Sequence, residues 1–127
     1  MVSVEVCING DDVEETLGSV SAAHSGGAAR IELCGSMQFD GLTPPRECIE
    51  AARAAFSRDG LLVMIRPRAD DFSYSSVEIQ TMKNQIQSAA ELGADGVVFG
   101  LLDAEGCVDL RLTRELVELS SSLKLGT

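Results

Sequence analysis

Apolar and polar positions alternate over Val4-Glu5-Val6-Cys7, and the same order of aliphatic, Glu, aliphatic, Cys returns 27 residues later at Ile31-Glu32-Leu33-Cys34. A period of two predicts a strand at each place. Leu61-Leu62-Val63-Met64-Ile65-Arg66 and Gly96-Val97-Val98-Phe99-Gly100 are two further apolar runs of strand length. Between the runs the period changes to that of a helix. Ile79, Met82, Ile86 and Ala89 form the clearest apolar stripe, opened by a capping box of Ser75 with Glu78 and stopped at Gly93. Thr43 as N-cap, with Pro44 at the first helical position, predicts a helix carrying Ile49, Ala52 and Phe56. Asp109 caps a last helix with Leu112, Leu116 and Leu119. A weaker first helix runs from Asp11 to His24, interrupted at Gly18. Gly27-Ala28 and Gly93-Ala94 place a glycine at the helix end before the second and fourth strands.

The order is β-α four times, which predicts parallel strands joined by right-handed crossovers. Strands with Glu and Cys on one face and aliphatics on the other fit a barrel whose outer face meets helices. That points Glu5, Cys7, Glu32, Cys34, Met64 and Arg66 into one interior. A (β/α)8 barrel takes about 250 residues, and this chain of 127 supplies four units, ending at Leu123-Lys124-Leu125-Gly126-Thr127 where a fifth strand would begin. The expected fold is therefore α/β, half of a TIM barrel, a single incomplete domain over residues 1–127. Its first and fourth strands would be open edges, so association with a second half-barrel or a second copy is expected.

A formal charge of -10 makes phosphate backbones and anionic lipid unfavourable partners. The five aromatics and the lack of Trp give no stacking platform, so nucleic acid is not an expected partner. No apolar run reaches the roughly 20 residues of a membrane span, and no basic stretch followed by an apolar one marks a secretory leader. The expected compartment is the cytosol. The four cysteines, Cys7, Cys34, Cys48 and Cys107, show no C-x-x-C spacing and are expected as reduced thiols.

Equivalent positions on neighbouring strands lie about 4.8 Å apart, so the Cys7 and Cys34 sulfurs could share one metal ion, and soft sulfur suits Cu(I). The alternative is that both are small buried strand residues. Glu5 and Glu32 are costly to bury unpaired, and Arg66 is their expected partner. The three form either a structural network or a polar pocket in which Arg66 holds a carboxylate or phosphate. Arg66, Arg68 and Cys34 stand at or just past strand ends, where barrel sites lie. His24, the single histidine, reads as a surface or helix-capping residue, Met64 as barrel packing, and Asp70-Asp71 as a solvated loop pair.

Glu5-Val6-Cys7, Gly26-Gly27-Ala28 leading into Arg30-Ile31-Glu32-Leu33-Cys34, Gly41-Leu42-Thr43-Pro44, Met64-Ile65-Arg66-Pro67-Arg68 with Asp71-Phe72 and Tyr74-Ser75, and Leu92 to Gly100 together resemble the copper homeostasis protein CutC family. The resemblance covers essentially the whole chain, and the run Met64 to Ser75 is its most specific part. It implies a TIM barrel, cytoplasmic and in animals also nuclear, oligomeric, and binding Cu(I). The family's two shared cysteines fall on Cys7 and Cys34, whereas Cys48 and Cys107 match no family motif. Asp40, and the pair Ala69-Asp70, stand where the family usually has glycine, and the family's fifth-strand Phe-His-Arg motif does not occur. The functional expectation is copper homeostasis through Cu(I) at Cys7 and Cys34. The alternatives are a barrel enzyme of unknown reaction binding a small charged substrate through Glu5, Glu32, Arg66 and Arg68, or a truncated isoform without activity of its own.

Overall fold

The computed structural model describes residues 2–127. Strand β1 spans Glu5–Asn9, helix α1 Val13–Ser25, β2 Arg30–Cys34, α2 Arg46–Ala55, β3 Leu61–Met64, α3 Ser76–Glu91, β4 Gly96–Val98 and α4 Leu110–Ser122, with a 3-10 turn at Met37–Phe39. The strands pair in the order β1-β2-β3-β4, all parallel. Beyond α4, the chain returns to the outer side of β4. There the Val97 amide donates to the Gly126 carbonyl, and the Gly126 amide to that of Asp95, each at 2.9 Å. Gly126 thus forms a parallel bridge with Gly96 beside β4.

Strand alternation divides the sheet into two faces. Ile8, Ile31, Leu33, Leu61, Val63 and Val97 are buried on the helix-covered face, against Val20, Phe56, Met82, Ile86 and Leu116. Burying each large aliphatic or aromatic side chain contributes about 1.5–3 kcal/mol. On the opposite face Glu5, Cys7, Asn9 and Arg30 are exposed, while Glu32, Leu62, Met64 and Val98 are half-buried. This is the face that a closed barrel turns inward.

The helix signals hold in most places. The Ser75 hydroxyl accepts from the Glu78 amide at 3.2 Å, and the Glu78 carboxylate accepts from the Ser75 amide at 2.8 Å. Asp12 and Asp109 cap α1 and α4 through their side chains. Gly93, at φ +95°, adopts the left-handed conformation that ends α3.

Two expectations fail. Gly18 does not interrupt α1: a side chain there would meet only open space, so the glycine lowers helix propensity on a solvent face without breaking the helix. Thr43 does not cap α2, which starts at Arg46 after Pro45 with no side-chain cap. The residue before a proline avoids the helical region, so Thr43 and Pro44 stay extended ahead of Pro44 and Pro45. The Thr43 hydroxyl instead accepts from the Arg66 amide at 2.8 Å and donates to Gln85 at 2.9 Å, tying the end of β3 to α3.

At the start of β3, one oxygen of Asp95 accepts from Arg53 and from the Gly60 amide, each at 2.8 Å, and from the Leu61 amide at 2.9 Å. Among the described residues, no helix is long and apolar enough to cross a membrane.

Candidate functional site

The sheet register pairs Cys7 with Glu32 and Asn9 with Cys34, so the two cysteines are not at equivalent positions. They lie diagonally across the β1–β2 seam, because barrel strands are staggered and a repeat in sequence need not be a repeat in register. Their sulfurs nevertheless approach to 3.9 Å. Cys7 is exposed and Cys34 buried. The Cys34 thiol lies 3.7 Å from a Glu32 carboxylate oxygen, to which it donates. Burial first, then the nearby Cys7 and Glu32, push the Cys34 thiol far above its ordinary range. Burial also raises Glu32, the Cys34 hydrogen bond opposes that rise, and the charge of Glu5 adds to it.

The expected Glu5–Arg66–Glu32 network does not form. Glu5 pairs at 3.0 Å with Arg30, its register partner, in an ion pair open to solvent and worth about 0–1 kcal/mol. Glu32 is level with Leu62, so Arg66 lies four residues further along, about 13 Å at strand spacing. Arg66 is only 8% exposed. Its Nη1 donates to the carbonyls of Phe39 at 2.8 Å and Gly41 at 3.2 Å, its Nη2 to that of Asp70 at 3.0 Å, and its guanidinium stacks 4.8 Å over the Phe72 ring. It fastens the β2–α2 loop to the β3–α3 loop.

Arg68 organises the second of these loops. It reaches Glu78 at 2.5 Å and Asp71 at 3.1 Å, the carbonyls of Ala69, Asp71 and Ser73, and the face of Tyr74. Asp71 is therefore ion-paired and does not simply face water. The Ser73 amide, then Arg68, holds its carboxyl below the usual range. Asp40 and Asp70, where glycines were expected, take φ of +64° and +77°, the left-handed backbone that Asp tolerates better than most residues.

His24 sits in the last turn of α1, its Nε2 at 2.8 Å from Ser57 Oγ and its ring edge-on to Phe56, in keeping with the surface role expected of it. Among the described residues, no group of three His, Cys, Asp or Glu side chains converges as a metal site.

One feature was not singled out in the sequence. The loop after Cys34 closes through an antiparallel bridge from Gly35 to Leu42, and within it Gly41 has φ +94°. A Cβ on Gly41 would stand 3.5 Å from the Cys34 sulfur and 3.7 Å from the Met37 sulfur. The available signal was a methionine three residues past a strand-end cysteine, followed by a glycine that returns the loop.

A parallel β-α series of four units, with helices on one face and a close thiol pair on the other, defines half of a (β/α)8-barrel protein. Comparison with known proteins makes this specific: the CutC family model matches residues 2–126, and the chain belongs to that family. It is 49% identical over 123 residues to a family protein CutC of Vibrio vulnificus, covering 97% of this chain and 46% of the relative. A CutC of Bacteroides thetaiotaomicron is 46% identical over 121 residues, again covering 46% of that protein. The chain thus spans about half the length of the curated relatives it matches. The crystal structure of a Streptococcus agalactiae CutC, named for copper homeostasis, superimposes with a TM-score of 0.80 at 27% identity over 95% of this chain and 56% of that one. A D-glucarate dehydratase of Agrobacterium tumefaciens, at 18% identity and a TM-score of 0.57, shares the fold alone.

Proposed function

We propose that this chain serves copper homeostasis by binding Cu(I) between Cys7 and Cys34. The observation that carries the reading is the 3.9 Å approach of two thiols from adjacent strands on the open face. Cu(I) favours soft sulfur ligands, and both donors are free thiols outside any disulfide. Cys7 gives access from solvent, while buried Cys34, with Glu32 accepting its hydrogen, anchors the inner side. Bound Cu(I) would displace the two thiol protons to solvent and be held as a thiolate complex and cargo. Arg66 and Arg68 fix the loops bordering the site, and their donors are already directed to carbonyl and carboxylate oxygens of the protein. Reduced thiols fit a cytosolic or nuclear location.

Anaerobic titration against a chromogenic Cu(I) chelator tests this. Cys7→Ser with Cys34→Ser should lower affinity by more than about 100-fold, beyond what loss of outer-shell partners costs. Cys48→Ser with Cys107→Ser should leave it unchanged. Unaltered binding in the first variant would remove the site.

Association belongs to the same reading. The outer edge of β1 has no strand partner among the described residues, and the barrel-interior face carries half-buried Leu62, Met64 and Val98 without opposing strands. We expect the 127-residue chain to self-associate at micromolar concentration in sedimentation velocity. A compact monomer with a cooperative melt and strong amide protection in all four strands would contradict this.

A further inference from the structure

Two thiolates bound to one Cu(I) leave open what completes its coordination, and the sulfur spacing bears on the answer. This step rests on the copper reading above. In two-coordinate Cu(I) the ligands lie on opposite sides, so with bonds of about 2.3 Å, the zinc–thiolate length taken as a guide, the sulfurs would stand roughly 4.6 Å apart. Here they are 3.9 Å apart. At that separation the same bonds enclose roughly 116°, close to the angle in a trigonal, three-ligand arrangement. Without movement of either strand, the pair therefore suits an ion that takes a third donor. For Cu(I) that donor is best a soft one, which disfavours the Glu32 carboxylate despite its closeness to Cys34.

A soft donor borders the site. Met37 lies three residues past Cys34, in the 3-10 turn, and is 41% exposed, so its side chain has no place in the core. Its sulfur and that of Cys34 flank one gap, 3.7 Å and 3.5 Å from the point where a Gly41 side chain would begin. Gly41, at φ +94°, keeps that gap open. The loop backbone is held by the Gly35–Leu42 bridge and by Arg66, which grips the Phe39 and Gly41 carbonyls on either side of the turn's end. The thioether itself turns about three side-chain bonds and can swing toward the thiols while the loop stays in place.

We infer that Met37 supplies a thioether as the third sulfur ligand of Cu(I) held by Cys7 and Cys34. Met64 is the rival. It lies one residue beyond the Leu33–Val63 pairing, just as Cys34 does, and so stands beside Cys34 on the open face, half-buried.

The test loads four proteins with Cu(I) under chelator competition: the unmodified chain, Met37→Leu, Met64→Leu, and Cys7→Ser with Cys34→Ser. Sulfur neighbours are counted by X-ray absorption, and methionine methyl groups are followed by carbon NMR. The unmodified chain should show three sulfurs, with the Met37 methyl resonance moving on loading. Met37→Leu should show two sulfurs and bind at least about tenfold more weakly, the lower end of what even indirect ligand losses cost. Met64→Leu should behave as the unmodified chain. Unchanged affinity and sulfur count in Met37→Leu, or loss of the third sulfur in Met64→Leu, would overturn the assignment while leaving the thiol pair intact. Copper binding indifferent to the cysteines would overturn the copper reading itself, and this assignment with it.

Discussion

Replacing Arg66 with alanine is expected to cost the fold about 3 kcal/mol or more, because backbone carbonyls lose their charged donor, at roughly 1–3 kcal/mol for each one left buried and unsatisfied. The guanidinium is almost fully buried and donates to three backbone carbonyls on two loops. Hydrogen bonds from a charged donor are worth roughly 1.5–3 kcal/mol each, and the stack on Phe72 adds about 0.5–2 kcal/mol. These do not sum, because the loops relax and water reaches some of the freed carbonyls. Arg66→Lys should recover only part of the loss, since an ammonium keeps the charge but cannot span both loops as the planar fork does. Urea melts of the three proteins measure the effect. A change in Arg66→Ala within about 0.5 kcal/mol, as for ordinary surface positions, would mean that the loops hold without it.

Asp95→Ala should destabilise the chain by about 2–3 kcal/mol at neutral pH, through two backbone amides and Arg53 losing their common acceptor. The carboxyl is partly exposed, which keeps the figure below that of a fully buried pair. Burial alone would raise its pKa, but the Leu61 amide, Arg53 and the Gly60 amide outweigh burial and hold it below the usual range. A carboxyl lowered in the folded state contributes stability above its unfolded value, near 3.9, and this is lost as pH falls through the folded value. The gap between the unmodified chain and Asp95→Ala should therefore narrow on acidification below about 3.9. A gap that stays constant there would show that the carboxylate charge is not what holds the β3 start. Asp95→Asn, which keeps one acceptor oxygen, should lie between the two.

Much of this structure could be read from local letters. The Ser75–Glu78 box and the stripe of Ile79, Met82, Ile86 and Ala89 specify α3 because capping and helical period act within a few residues. The Glu-x-Cys repeats likewise place both thiols on one face. What escaped depends on distant backbone. Arg66 looked like a partner for carboxylates because its carbonyl acceptors carry no sequence signal: every residue has a carbonyl. The diagonal placement of Cys7 and Cys34 follows from strand stagger, a relation between two strands that a repeated motif within each does not specify. Thr43 carries a good capping side chain, but the two prolines after it keep the chain extended and free the hydroxyl for β3.

Because every strand pairs with its immediate successor, no rung of the sheet waits for a remote part of the chain. Such an arrangement can assemble in the direction of synthesis, each β-α unit docking on the one before as it leaves the ribosome. At the β4 side Gly126 lies parallel in a single bridge. The opposite margin, β1, is made first, and it is the strand that carries Cys7. The β1–β2 seam, with its two thiols, is therefore the first part of the sheet that can form, ahead of the later units.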